Sequence, residues 1–133
     1  MSIEETNKDI IRRLLEGTLT QDEVLSPDFV DHNVGPGYQG GSHRDYYKQA
    51  REEAMIGFSD RHWTLHHLIA EGDLVVTHVT NTWTHSGTYF GKPPTGKQVT
   101  ATTITIYRFV DGKIVESWDD MGLCAELLPL LTR

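Results

Sequence analysis

Residues 107 to 120 read YRFVDGKIVESWDD, and this stretch decides the fold because it contains two strands joined by a tight turn. Apolar and polar side chains alternate on both sides of VDGK, with the two-residue period of a strand that is buried on one face. The Asp-Gly pair within that tetrapeptide is typical of a turn between antiparallel strands. The sequence therefore predicts one strand over residues 98 to 110 and the next over residues 114 to 119.

Two more strands precede this pair. Residues 74 to 88 alternate in the same way, and so do the residues from Arg61 to the EGD turn at 71 to 73. The loop FGKPPTGK, residues 90 to 97, separates the earlier pair of strands from the later pair. On the first strand, alternation predicts a shared face for four side chains: Trp63, Leu65, His67 and Ile69.

Helical patterns replace alternation before the first strand. Ser2 and Glu5 have the spacing of a capping box, and apolar residues three or four apart continue a helix as far as Gly17. Thr20 and Glu23 repeat the capping spacing at the start of a second, short helix. The N-terminal part of the chain is therefore predicted to be helix and loop.

A third helix is expected after the capping residue Ser42, and a fourth after Asp120. Helices that stand apart from a run of antiparallel strands define an α+β fold rather than an alternating one. We expect a single domain over residues 1 to 133, in which three N-terminal helices and a C-terminal helix pack on a strongly curved, mainly antiparallel sheet. Such a sheet, closed on one side by helices, forms a cone whose interior is a natural pocket.

Composition excludes several classes of protein. A formal net charge of −7 without any basic run argues against nucleic acids and membranes as partners, because both attract a concentrated basic surface. The one cysteine, Cys124, rules out an internal disulfide, and no apolar run approaches the roughly 20 residues that cross a bilayer. The N-terminal sequence is acidic and helical rather than signal-like, so we expect a cytoplasmic protein.

Two long motifs resemble those of the SnoaL-like polyketide cyclases, also called ester cyclases. THSGTYFGKPPTGK, residues 84 to 97, is similar to the family's His, Gly, then Gly-x-Pro-Pro-Thr pattern between two strands. YRFVDGKIVESWDD is similar to the family's Arg-x-x-Asp-Gly-Lys-Ile turn and the acidic residue after it. A shorter extended piece, FVDHN at residues 29 to 33, is a weaker match. The resemblance implies the cone-shaped α+β fold that this family shares with ketosteroid isomerase and scytalone dehydratase.

The resemblance also implies roles for individual residues. The family's general acid/base aspartate falls on Asp119, and the histidine before the Gly-x-Pro-Pro-Thr loop falls on His85. The residues from Asp31 to Asn33 lie near a position that contributes a polar side chain in the family, and of these His32 and Asn33 are candidates for substrate binding. A family histidine on the strand over residues 98 to 110 is replaced by Thr105, which can donate a hydrogen bond but cannot act as a base near neutral pH.

The chemistry implied by the resemblance is an intramolecular aldol ring closure of a polyketide ester or acid, without a metal or other cofactor. Asp119 would remove a carbon-bound proton, with its pKa raised by burial. Donors to the developing enolate oxygen would be His85, Asn33, Thr105 or Tyr107. A small apolar or aromatic molecule would lie within aromatic walls drawn from Trp63, Trp83, Trp118, Phe58, Tyr46 and Tyr47.

Each of these residues also has a structural explanation. Asp120 would leave the strand by the opposite face and cap the last helix. Asp119 itself could be a solvent-facing carboxylate, and His85 a histidine at the rim of the sheet bonded to a loop carbonyl. The seven histidines lack the spacing of a metal site, so none is expected.

Two other functions stay open. The implied fold also hosts dehydration and epoxide opening, so a dehydratase or hydrolase is the enzymatic alternative. The second alternative is a non-catalytic protein that binds a small apolar molecule. An exposed apolar outer face of the sheet would favour a homodimer, which is compatible with every one of these functions.

Overall fold

The computed structural model of the chain describes residues 1–34 and 38–131, without the side chains of Cys124, Ala125, Leu128, Leu130 and Leu131. The loop predicted at residues 35 to 41 therefore lies partly outside the described residues. Helices and strands follow the predicted order, with one strand more than the sequence predicted. The α+β class is confirmed.

Four helices form where capping residues predict them. Their bounds are Ile3–Glu16 (α1), Gln21–Val24 (α2), His43–Gly57 (α3) and Gly122–Leu131 (α4). The Ser2 hydroxyl accepts the Glu5 N–H at 3.1 Å, and the Ser42 hydroxyl accepts the Asp45 N–H at 3.2 Å. Gly17 ends α1 with φ of 83°, a conformation that glycine adopts without steric cost.

Five strands form one open sheet. They are Leu25–Asp31 (β1), Phe58–Glu71 (β2), Leu74–His85 (β3), Gln98–Val110 (β4) and Lys113–Asp119 (β5). Their order across the sheet is β1-β5-β4-β3-β2, so β1 and β2 form the two edges. Neighbours from β2 to β5 pair antiparallel, whereas β1 pairs parallel with β5.

The edge strand β1 is longer than the extended piece predicted at residues 29 to 33. It begins at Leu25 and includes Pro27, which an edge strand tolerates because one side of it has no partner strand. Its register with β5 shifts between Leu25 and Val30. Its parallel pairing brings Asp31 beside Ser117, near the end of the last strand.

A β-bulge in β2 changes which of its side chains share a face, contrary to the prediction from alternation. The register with β3 shifts between Leu65 and His67, so Leu65 lies opposite Val79 but His67 lies opposite His78. The extra residue moves every later side chain to the other face, and Ile69 is 58% exposed. The expectation that His67 and Ile69 share a face with Leu65 was therefore wrong.

The inner face of the sheet carries two apolar clusters under the helices. The larger surrounds Ile11 of α1, Val75 of β3 and Ile114 of β5, all almost completely buried. The smaller is centred on Tyr89, Val99 and Leu127, beneath α4. Among the described residues, no helix is both long enough and apolar enough to cross a bilayer.

Candidate functional site

A cavity of about 280 Å³ lies between the two apolar clusters and is lined by members of both. Helices α1, α3 and α4 cover it, and the inner face of the sheet forms its floor. Most of its wall is apolar or aromatic, including Phe29, Tyr46, Tyr47, Phe58, Trp83 and Tyr89. Its size and lining are those of a site for a small molecule.

Asp119, the last residue of β5, lies on the wall of this cavity. Its backbone N–H donates to Oδ1 of Asn33 at 3.0 Å, and its carboxylate accepts the N–H of Met121 at 2.7 Å. Burial raises the pKa of Asp119, the Met121 hydrogen bond opposes that rise, and the nearby Asp31 and Asp120 charges add to it. A carboxylate in this setting is suited to proton transfer.

The side chain of Asp120, unlike that of Asp119, lies outside the cavity. It is exposed, does not line the cavity, and accepts the N–H of Gly122 at 3.0 Å at the start of α4. Asp119 and Asp120 thus divide as alternation predicts, with one carboxylate on the cavity and the other at the end of a helix.

A second carboxylate, Asp31 at the end of β1, also lines the cavity. The resemblance placed Asp31 near a polar position of the family, but it was not among the proposed site residues. It is only 4% exposed. The Tyr47 hydroxyl donates to its Oδ2 at 2.8 Å, and the Asn33 N–H donates to its Oδ1 at 2.8 Å. Burial, followed by the Asp31 charge, raises the pKa of Tyr47 far above its usual range. One signal was available, because Asp31 is two residues from the apolar Phe29 and so shares its face.

Thr105 and Tyr107 of β4 add two hydroxyl groups to the polar part of the cavity, which also includes Gln21, Thr103 and Ser117. Thr105 lies directly opposite Asp119 in the sheet, and Tyr107 lies opposite Ser117. Burial raises the pKa of Tyr107, an effect that the hydroxyls of Thr105 and Thr77 partly offset. Tyr107 therefore stays protonated at neutral pH and can donate a hydrogen bond.

Five of the nine residues proposed from the sequence come together on the cavity: Asn33, Trp83, Thr105, Tyr107 and Asp119. The structure does not bring the other four to it: His32, Trp63, Trp118 and His85. Of the further aromatic walls expected, Phe58, Tyr46 and Tyr47 line the cavity. The sequence thus identified five residues of the cavity, but four of its nine candidates lie elsewhere.

His85 lies behind the cavity wall. It is completely buried, and its ring is 5.4 Å from the ring of Phe58, which does line the cavity. Its Nδ1 accepts the N–H of Thr95 at 3.3 Å and lies 3.0 Å from the Thr95 hydroxyl. Its backbone N–H and carbonyl bond to Lys97 and Gly96. His85 therefore anchors the loop that joins β3 to β4.

His32 and Trp118 lie outside the cavity, against each other. Their rings stack with centroids 4.7 Å apart, and His32 Nε2 is 2.7 Å from the Glu116 carboxylate. Trp118 lies opposite Ile106, on the outer face of the sheet. Trp63 pairs with Asn81 on β3 and does not contribute to the cavity lining.

The described part of the chain contains no preformed metal site. Among the side chains described, no group of three or more His, Cys, Asp or Glu residues is arranged to hold a metal ion. The histidines that come closest to one another, His66, His67 and His78, lie on the outer face of β2 and β3, away from the cavity. The chemistry of the cavity therefore has to be argued from its aspartates, hydroxyls and amide.

An open curled sheet with helices on one face and a ligand-sized cavity between them defines the NTF2-like class of cone folds. Within that class, the model of the SnoaL-like polyketide cyclase family matches residues 17–127. The chain belongs to this family. The match extends from the end of α1 into α4 and so covers both long motifs.

Solved structures agree with this assignment. AclR from Streptomyces galilaeus, a candidate hydroxylase, is 29% identical with a TM-score of 0.71, over 99% of this chain and 84% of its own. IdmH from Streptomyces antibioticus, a candidate polyketide cyclase, is 28% identical with a TM-score of 0.69, over 96% and 99%. An NTF2-like protein of unknown function from Burkholderia pseudomallei shares the fold at 22% identity, with a TM-score of 0.69 and full coverage of both chains. No curated protein matches the chain in sequence.

Proposed function

We propose that this protein catalyses an intramolecular aldol cyclisation of a polyketide-type ester by acid/base chemistry, with Asp119 as the proton-transfer residue. The observation that carries the proposal is the Asp119 carboxylate on the wall of a mostly apolar cavity, with its pKa raised by burial. Membership of the SnoaL-like family supports the reaction type. IdmH, a candidate polyketide cyclase of similar length, supports it further.

The reaction divides into three steps. The Asp119 carboxylate takes a proton from a carbon activated by two carbonyl groups, which leaves an enolate. The enolate carbon then bonds to a ketone carbon in the same molecule, and the carbonyl electron pair moves to its oxygen. That alkoxide takes the proton back from Asp119, so the base is regenerated. Conjugation within the substrate stabilises the enolate, and this route needs no metal ion.

Donors on the same wall would stabilise the enolate oxygen. The Asn33 side-chain oxygen accepts the backbone N–H of Asp119, which holds Asn33 beside Asp119 and leaves its amide NH2 group to donate. Tyr107 supplies a buried hydroxyl, and Thr105 supplies another directly across from Asp119. Preorganised donors in a water-poor cavity stabilise developing charge more strongly than donors in water do.

The test compares Asp119→Asn with Asp120→Asn on polyketide esters, epoxides and unsaturated ketones. Removing a positioned general base costs roughly 100-fold to 10,000-fold in rate, so we expect kcat/KM of Asp119→Asn to fall by at least about 100-fold. Asp120→Asn removes an equal charge from outside the cavity and should stay close to wild type. Equal turnover by wild type and Asp119→Asn would refute the proposal, and the substrate that reacts separates a cyclase from a hydrolase or dehydratase.

A non-catalytic binding role is the second candidate, and two observations favour it. Thr105 stands where the family's second acid/base group, a histidine, is expected. The hydrogen bond described for the Asp119 carboxylate comes from the Met121 backbone rather than from a histidine. AclR, a candidate hydroxylase with the same fold, indicates that the fold alone leaves the reaction open. Ligand binding without turnover on the whole substrate panel would select this role.

We also propose that the protein forms a homodimer through the outer face of its sheet. Four cross-strand neighbours, Ile69, Val76, Ile106 and Trp118, form an apolar row across four strands. Ile104 beside them is 45% exposed. A continuous apolar row on the solvent side of a sheet is typical of an interface.

A further inference from the structure

The cavity has an unusual balance of charge. The two carboxylates of Asp31 and Asp119 line it, whereas no lysine, arginine or histidine stands among the described lining residues. Seven aromatic residues share the wall with them. A ligand in this cavity therefore meets negative charge and ring faces, without a basic side chain to pair with an anion.

Three basic side chains on the elements that form the cavity do not line it. Arg44 of α3 donates from Nη2 to the backbone carbonyl of Asp22, although its buried Nε has no partner among the described residues, and Arg108 of β4 pairs with Glu116 on the outer face. His43 Nδ1 accepts the backbone N–H of Asp31 at 2.8 Å, so this nitrogen carries a lone pair rather than a proton. The donors that do reach the Asp31 carboxylate, from Tyr47 and Asn33, are uncharged.

The pKa shifts of groups on the cavity wall have the direction that two nearby carboxylates would produce. The charge of Asp31 contributes to raising the pKa of three neighbours on the wall, Tyr47, Tyr107 and Asp119. In each of the three, burial is the larger cause and Asp31 adds to it. Since a proton is held more tightly at all three positions, any anion placed among them is destabilised in the same direction.

We infer that the cavity selects its ligand by charge, accepting neutral and positively charged molecules and rejecting carboxylates. A carboxylate ligand that entered the cavity would lose its hydration and gain no ion pair. Burial of an unpaired charge is unfavourable in free energy, so such a ligand would bind weakly. An ammonium group would meet both carboxylates and several ring faces, which attract cations. The inference rests on the proposed function, and it selects the ester over the free acid as the form of substrate that enters.

Three probes with one skeleton test this selection by calorimetric titration: methyl 2-naphthoate, 2-naphthoate and 2-naphthylmethylammonium. At pH 7.5 we expect the acid to bind at least about 10-fold more weakly than the ester, which corresponds to about 1.4 kcal/mol. The ammonium compound should bind at least as tightly as the ester. Neutralising one wall carboxylate, in Asp119→Asn or Asp31→Asn, should bring the acid and the ester to within about threefold.

Asp120→Asn is the matched control, since it removes one negative charge next to Asp119 but outside the cavity. It should leave the 10-fold ratio unchanged. Asp119→Asn keeps the test decisive if Asp31→Asn fails to fold, which circular dichroism would show. Equal binding of acid and ester by wild type, or a ratio that neither variant changes, overturns the charge selection alone. Failure of all three probes to bind overturns the cavity as a ligand site and the selection with it. Binding of the probes with the expected selection, together with no turnover of any compound on the substrate panel, overturns only the proposed catalysis.

Discussion

At Asp119, stability and activity make opposite demands on one side chain. Burial raises its pKa above the value of about 3.9 expected in the unfolded chain, so the folded protein favours the protonated form. The protonated form therefore stabilises the fold. This stabilisation is complete below the pKa of Asp119 in the unfolded chain and is lost as the pH rises through its pKa in the folded protein. A general base, however, has to be ionised in order to work.

Asp119→Asn is therefore expected to raise the free energy of unfolding at pH 7, because it removes an ionised group that burial disfavours. Asparagine keeps an oxygen that can accept the Met121 N–H. Urea denaturation at several pH values measures the effect, and the gain should shrink as pH falls towards 4. Asp120→Asn, at an exposed position, should show no such gain. A less stable Asp119→Asn at pH 7 would contradict this explanation.

At the scale of elements, the loop between β3 and β4 depends on His85. The ring bonds to Thr95, the backbone bonds to Lys97 and Gly96, and Phe58 packs against it on the cavity side. These contacts give the histidine before the proline-rich loop a structural role, although its buried Nε2 has no hydrogen-bond partner among the described residues. The prediction that His85 takes part in catalysis is untested.

His85→Ala separates the two explanations. Removing a buried ring and its hydrogen bonds should lower the free energy of unfolding by about 2 to 4 kcal/mol. If His85 acts only on the loop, kcat/KM of the folded protein should stay within about threefold of wild type. Denaturation and turnover measured on the same preparation distinguish the cases, and a large loss of kcat without loss of stability would restore the catalytic role.

At the scale of the whole molecule, we propose that one face of the sheet binds the ligand and the other binds a second copy of the chain. We predict that Ile104→Glu, which places a charge beside the apolar row on the outer face, converts the dimer to a monomer. Sedimentation at several concentrations measures the change. The cavity lies on the other face, so ligand binding should survive, and Thr100→Glu, further along the same strand among threonines, should perturb the dimer less. A monomeric wild type would refute this arrangement.

Local sequence determined the helices, the four antiparallel strands and the opposite directions of the Asp119 and Asp120 side chains. Each of these depends on neighbours a few residues apart, through capping, alternation or turn chemistry, and such patterns can be seen along the chain. The family motifs added the prediction that Asp119 is the general acid/base residue, and that role is untested. The cavity itself was expected from the cone, although Asp31 was not among the proposed site residues.

Only the tertiary structure decided which other side chains reach the cavity. Asp31 enters because β1 pairs with β5, and the Asp119 N–H meets Asn33 across 86 residues of sequence. The bulge after Leu65 depends on the partner strand. His85 does not line the cavity because its ring bonds to the loop that folds back on it. Pairing between distant segments leaves no periodic signal in either one. The sequence could therefore propose nine site residues, but it could not separate the five that line the cavity from the four that do not.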